Sequence, residues 1–208
     1  MPVKKAQKKN GAGESASPKP IAIVLAGLQL FTQYGYRKTS VDDIARAAQV
    51  AKRTVYLHFQ NKAAVFLAIL EYIGDQVRRR CATAESARGT AVDRLAALLD
   101  AFFGMGFEVF NKSEHMPELE ETFSKLARSR IGDLNAEYRE RLAKFLRSLE
   151  KTGEIGGPPR GLTVEQIVYI LLRAAEGAKD DAKVQWDRKA LERHLRELAI
   201  LAIAAMTK

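Results

Sequence analysis

Apolar residues recur every three to four positions along almost the whole chain, and polar residues fill the intervals. Ile21, Val24, Leu25, Leu28 and Phe31 lie on one helical face, and Gly35 ends the pattern. Pro20 suits a first helical position. Ser40 reads as an N-cap with Asp42 and Asp43 in the first turn, and Val41, Ile44, Ala45 and Ala48 form the next apolar face. A three-residue break follows, Gln49-Val50-Ala51, before Val55 and Phe59 start another face. Asn61 can cap a longer helix bearing Val65, Phe66, Ile69, Leu70, Ile73 and Val77, expected to run to about Arg80.

The remainder keeps the same period. Residues 91–111 are rich in Leu and Phe, and Pro117 opens a turn before Leu119, Phe123 and Leu126. Ile131, Leu134, Tyr138, Leu142, Phe145 and Leu149 trace a long stripe. The segment TGEIGGPPRG (152–161) is the clearest break. Thr163 with Gln166 carries a capping-box signature, and Asp187 can cap the last helix. No stretch alternates with period two for long. The expected fold is therefore all-α.

Two short helices separated by three residues have the dimensions of a helix-turn-helix. Val41, Ile44, Ala45, Ala48, Val55 and Phe59 would face inward, leaving Lys52, Arg53, Thr54, Tyr56 and His58 for an outside partner. A helix of that size fits the major groove of DNA. Lys and Arg there read guanine or grip phosphate, while hydroxyls and a His ring bond phosphate oxygens.

Charge sharpens this expectation. The chain of 208 residues carries a net +9, with 28% charged and 47% apolar residues. Residues 1–62 hold eleven Lys and Arg against three acids, Glu14, Asp42 and Asp43, so nearly all the excess lies in the first third. Such a field attracts phosphate backbones or anionic membranes. Residues 1–19 contain Lys4, Lys5, Lys8, Lys9 and Lys19 but too little apolar surface to fold, which predicts a disordered basic arm. That arm lacks the apolar run of a secretory signal, no stretch is long and apolar enough for a transmembrane helix, and Cys81 is the sole cysteine. A cytoplasmic protein is the expectation.

The segment TSVDDIARAAQVAKRTVYLHFQNKAAVFLAIL (39–70), preceded by FTQYGYRK, resembles the DNA-binding domain of the TetR family of bacterial transcriptional regulators. The resemblance covers Ile21 to about Leu70, a quarter of the chain, and is carried by DDIA, VYLHF and the following NK. It implies that Thr39 or Ser40 touches phosphate at the start of helix two. Thr54 would contact backbone or base, and Tyr56 and His58 phosphate. Lys62 would reach the DNA backbone, Lys52 and Arg53 would read bases, and Leu57 would meet a thymine methyl. Three departures stand out: Gln49 where a Gly is common, Ala51 where a Ser-like cap is common, and Ala63-Ala64 in place of an acid.

The resemblance also implies three parts: the arm (1–19), a helix-turn-helix domain (20–66), and a helical ligand-binding and dimerisation domain (67–208). The partners would be a pseudo-palindromic double-stranded DNA operator, a small hydrophobic ligand and a second copy of the chain. The second copy would pair through the helices at 163–179 and 187–206, where Ala and Gly permit close contact. Phe102, Phe103, Met105, Phe107 and Phe110, with Gly104 and Gly106 between them, are candidate pocket residues. Met116, Phe123, Tyr138 and Tyr169 would face them, and Arg173 offers a polar anchor. The three histidines have no metal-ligand spacing, and no nucleophile motif or phosphate loop is present, so neither catalytic residues nor a cofactor are expected. Arg78-Arg79-Arg80 beside Cys81 leave a thiol sensor conceivable.

Overall fold

The computed structural model describes residues 19–177 and 187–206. Within them the chain forms helices α1 (Lys19–Tyr34), α2 (Val41–Ala47), α3 (Lys52–His58), α4 (Lys62–Ser86), α5 (Ala91–Phe110), α6 (Met116–Leu126), α7 (Arg128–Thr152), α8 (Val164–Gly177) and α9 (Arg188–Ala205). No strand occurs among the described residues. The arm expected for residues 1–19 lies outside the described residues except for Lys19, which opens α1 one residue before Pro20.

Local signals set most boundaries. Ser40 caps α2 reciprocally with Asp43, Asn61 caps α4 through the Ala64 amide, and Asp187 caps α9 through the Ala190 amide. Thr163 and Gln166 exchange side-chain to backbone bonds of 2.8 and 3.2 Å ahead of α8. A further box, Thr90 with Asp93, starts α5. Its hydrogen bonds, with Arg196 nearby, hold the Asp93 carboxyl at about 2. Two expectations are corrected. The helix after Asn61 continues past Arg80 to Ser86, because Cys81 and Ala84 carry its buried stripe one more turn. Pro117 does not open a turn but occupies the first turn of α6, where its missing N–H costs nothing.

Buried side chains fall into two clusters. The first gathers Ile23, Val24 and Phe31 of α1, Ile44 and Ala45 of α2, Val55 of α3, and Val65, Phe66 and Ile69 of α4. Each such aliphatic or aromatic side chain contributes roughly 1.5–3 kcal/mol by leaving water. Leu119 of α6 is buried in the same cluster, with Phe110 and Phe123 packed on it. The second cluster joins α4, α5, α7, α8 and α9. Helix α5 packs chiefly on α4 and α9, and α4 is shared between the clusters.

Candidate nucleic-acid interface and ligand cavity

Helices α2 and α3 have seven residues each, and the turn between them is a Schellman motif. The Val50 amide donates to the Ala45 carbonyl at 3.0 Å and the Gln49 amide to the Arg46 carbonyl at 3.1 Å. This geometry requires the left-handed backbone at residue 49, and Gln49 adopts it with φ 53°. A glycine would do so without steric cost. Ala51 then stands at the N-cap of α3 with no side-chain hydrogen bond. Two of the three departures from the resemblance thus fall on the residues that launch α3.

Helix α3 is held by one side chain. Val55 is fully buried, whereas Lys52, Arg53, Tyr56, Leu57 and His58 are exposed and Thr54 half-buried. Leu57 is 72% exposed, an unusual position for leucine unless something covers it. Arg53 makes no ion pair among the described residues. Lys52 Nζ lies 2.9 Å from Asp42 Oδ2, which raises the Lys52 pKa and ties the start of α3 to the start of α2. Lys38, exposed beside Ser40, was overlooked in the sequence and adds another free cation to this surface.

Two predicted contacts are placed differently. Thr39 is 3% exposed, and its hydroxyl donates 2.8 Å to the Gly35 carbonyl, so it closes the α1–α2 connection rather than facing solvent. Only Ser40 of that pair is exposed, with its oxygen engaged in the α2 cap. Lys62 is also turned inward. Its ammonium donates to the carbonyls of Tyr36 (2.7 Å), Thr39 (2.9 Å) and Arg37 (3.4 Å), and sits 4.3 Å above the Tyr36 ring. Burial lowers its pKa. All three N–H groups are directed at carbonyls of the loop that presents Ser40.

That loop is gripped from α6 as well. The Arg37 amide donates to Glu118 Oε1 at 2.5 Å, and its guanidinium meets Glu121 at 2.7 Å. Ser113 donates to the Thr32 carbonyl at 2.7 Å. Gly35 has φ 82°, and a Cβ there would run into the Glu118 carboxylate.

Residues expected to line a ligand pocket separate into groups. Phe102 and Tyr138 line a 160 Å3 cavity between α4, α5 and α7, together with Leu70, Ile73, Val77, Ile131 and Leu134. Phe102, Phe103, Tyr138, Tyr169 and Arg173 line a second cavity of 200 Å3 toward α8. Met105, Phe107, Phe110, Met116 and Phe123 line neither. Helix α5 explains this: its far end reaches the first cluster, where the Phe110 and Phe123 rings meet edge to face at 5.7 Å. Phe66 lies 4.8 Å from Phe123, so these rings belong to the packing under α1. Gly74 was the overlooked sign on α4: a Cβ there would come within 2.9 Å of Leu134. Cys81 also borders the first cavity, but burial pushes its thiol up to about 11 despite the neighbouring Arg141. A thiol sensor is not supported there.

Comparison with known proteins bears on the first cluster. Residues 23–69 match the description "Bacterial regulatory proteins, tetR family". Residues 23–69 of the chain thus carry a TetR-family DNA-binding domain. Among its TetR-family relatives is the HTH-type transcriptional repressor DhaR of Mycobacterium sp. (strain GP1), 28% identical over 83% of this chain and 86% of that one. Another is the biofilm operon icaADBC HTH-type negative transcriptional regulator IcaR of Staphylococcus aureus, 25% identical over 59% and 67%. The regulatory protein TetR from Rhodobacter sphaeroides superposes with a TM-score of 0.65 over 88% of this chain and 98% of its own, at 24% identity, which establishes the shared fold. The relatives are DNA-binding transcriptional regulators, repressors among them, from a family of non-enzymes.

Proposed function

We propose that the protein is a homodimeric repressor that grips a pseudo-palindromic operator and is released by a small apolar ligand. The observation that carries it is α3: one buried anchor, Val55, and five exposed residues suited to a groove, with Arg53 unpaired and Leu57 bare. Lys52, Arg53, Thr54, Tyr56, Leu57, His58 and Ser40 are the proposed DNA contacts, with Thr39 and Lys62 supporting the loop from within. Residues 20–66 would act as the DNA-binding domain and 67–208 as the ligand-binding and dimerisation domain, in the cytoplasm with the DNA.

Support for the dimer comes from α8 and α9. Ala175, Ala199 and Ala202 are buried within the chain, but Ile170, Ala174, Ile200, Leu201 and Ala204 form an exposed apolar face across the two helices. Pairing that face with its copy would make a four-helix bundle and set two recognition helices one DNA turn apart. No helix among the described residues is long and apolar enough to cross a membrane. Support for the ligand comes from the cavities beside Phe102, which adjoin α4, the helix shared with the first cluster.

Fluorescence anisotropy of the full chain tests the proposal, on DNA from upstream of its own gene at about 0.15 M salt with scrambled duplex in competition. Binding that survives the competitor is expected, with two chains per duplex. Equal loss to scrambled duplex, there and on fragments selected from the whole genome, would mark a non-specific binder. Deleting residues 2–18 is expected to weaken binding and flatten its salt dependence by about one unit of slope per lost lysine contact. An unchanged slope would make the arm a passive tail.

A further inference from the structure

The two cavities meet at one aromatic pair. The accessible wall of the inner one is nearly all carbon, supplied by Leu70, Ile73, Val77, Ile131 and Leu134. The outer one presents Asn135, Arg139, Tyr169 and Arg173. Phe102, Tyr138 and Asn135 border both. The Phe102 and Tyr138 rings are stacked at 4.3 Å and 12°, forming the partition. Its two leaves differ. Tyr138 is buried and its hydroxyl donates to the Leu98 carbonyl at 2.9 Å, which fixes the ring. Phe102 is only half-buried and has no polar anchor, so it is the leaf that can turn.

Size and charge then select an occupant. A cavity of 160 Å3 holds about one benzene ring or a short alkyl chain. Joined to the 200 Å3 beyond Phe102, it reaches the range of an ordinary small-molecule site, which starts at about 300 Å3. The acids nearby are neutralised: Glu176 pairs with Arg173 at 2.7 Å and Glu137 with Arg78 at 2.8 Å. Among the described residues Arg139 has no ion pair, and the Asn135 amide, one turn before it on α7, has no hydrogen-bond partner. One unbalanced guanidinium and a free amide therefore stand at the mouth of an apolar chamber. A carboxylate satisfies both, whereas an ammonium would meet an uncompensated like charge.

The geometry points to a ligand with an apolar body and a carboxylate end. The body occupies the inner chamber, the carboxylate is held by Arg139 and Asn135, and Phe102 swings aside to admit it. This deepens the proposal of a small-molecule effector and rests on these cavities being its site.

Calorimetric titration of the full chain with octanoate and with 1-octanol tests it, since the two share a chain and differ in charge. Octanoate is expected to bind once per chain and about tenfold or more tighter than octanol, the scale of a charge-assisted hydrogen bond. In Arg139→Gln the preference should fall to within about twofold while octanol affinity is unchanged. Phe102→Leu should tighten both ligands alike. If octanol binds as well as octanoate, the carboxylate assignment is overturned and the ligand cavity stands. A preference that persists in Arg139→Gln overturns the role of Arg139. If neither compound binds the wild type or Phe102→Leu, the cavities are not an effector site, and the ligand part of the proposed function falls with them.

Discussion

The α2–α3 pair and the cavities beside Phe102 are built in opposite ways. The helix pair comes from nineteen consecutive residues, Ser40 to His58, and keeps the side chains proposed to contact DNA outside. Its geometry is set by nearest-neighbour devices: a capping box, a Schellman turn and one buried valine. The cavities draw their walls from α4, α5, α7 and α8, and their functional surface is an interior left unfilled. A surface site can be spelled out by local sequence. A cavity depends on what several distant helices fail to fill.

That contrast breaks most severely at Lys62, a residue that reads as a DNA contact but is spent inside the protein. Lys62→Met loses three hydrogen bonds to loop carbonyls and is expected to destabilise the chain by about 2–3 kcal/mol. Urea unfolding would show it as a lower midpoint. A direct phosphate ligand would behave otherwise, keeping the midpoint and losing about one unit of salt slope.

Arg53→Ala sharpens the opposite side. Its side chain has no partner among the described residues, so the midpoint should hold while operator affinity falls by about 1–3 kcal/mol and base preference relaxes at one position. A matched loss of stability would mean that the surface of α3 is structural.

Smaller effects are expected where α3 begins. Gln49→Gly relieves the left-handed backbone and Ala51→Ser supplies the missing cap, each stabilising by about 1 kcal/mol. Thermal unfolding of the single and double variants measures both. No gain from Gln49→Gly would show that the turn tolerates its side chain without strain.

The smallest effect belongs to Cys81. With its thiol at about 11, thiolate is scarce until the pH approaches that value, so reaction with a disulfide reagent at pH 8 should be slow in the folded chain and fast in urea. Rapid stoichiometric labelling of the folded protein would instead mark Cys81 as a reactive thiol.

Most helices were legible because each carries its own caps and stripe; Ser40, Asn61, Thr163 and Asp187 all cap where they were expected to. Of the proposed DNA contacts, the residues of α3 were legible because a seven-residue helix with one buried valine leaves little choice of outward face. Thr39 and Lys62 were not, since their partners are carbonyls, and carbonyls are present at every residue and leave no trace in a sequence. Of the aromatic residues proposed for a pocket, Phe102, Phe103, Tyr138 and Tyr169 border the cavities whereas Phe110 and Phe123 pack in the first cluster, because aromatic composition does not say which end of a long helix a ring will meet.

By itself the sequence determined the helical fold, the helix-turn-helix and the family, because periodicity, capping and turn chemistry act over a few residues. Only the tertiary structure decided which lysine faces out, that α6 grips the α1–α2 loop, and that Phe102 divides one apolar chamber from one charged chamber. Those features arise where elements distant in the chain meet, and their energies depend on distance and burial.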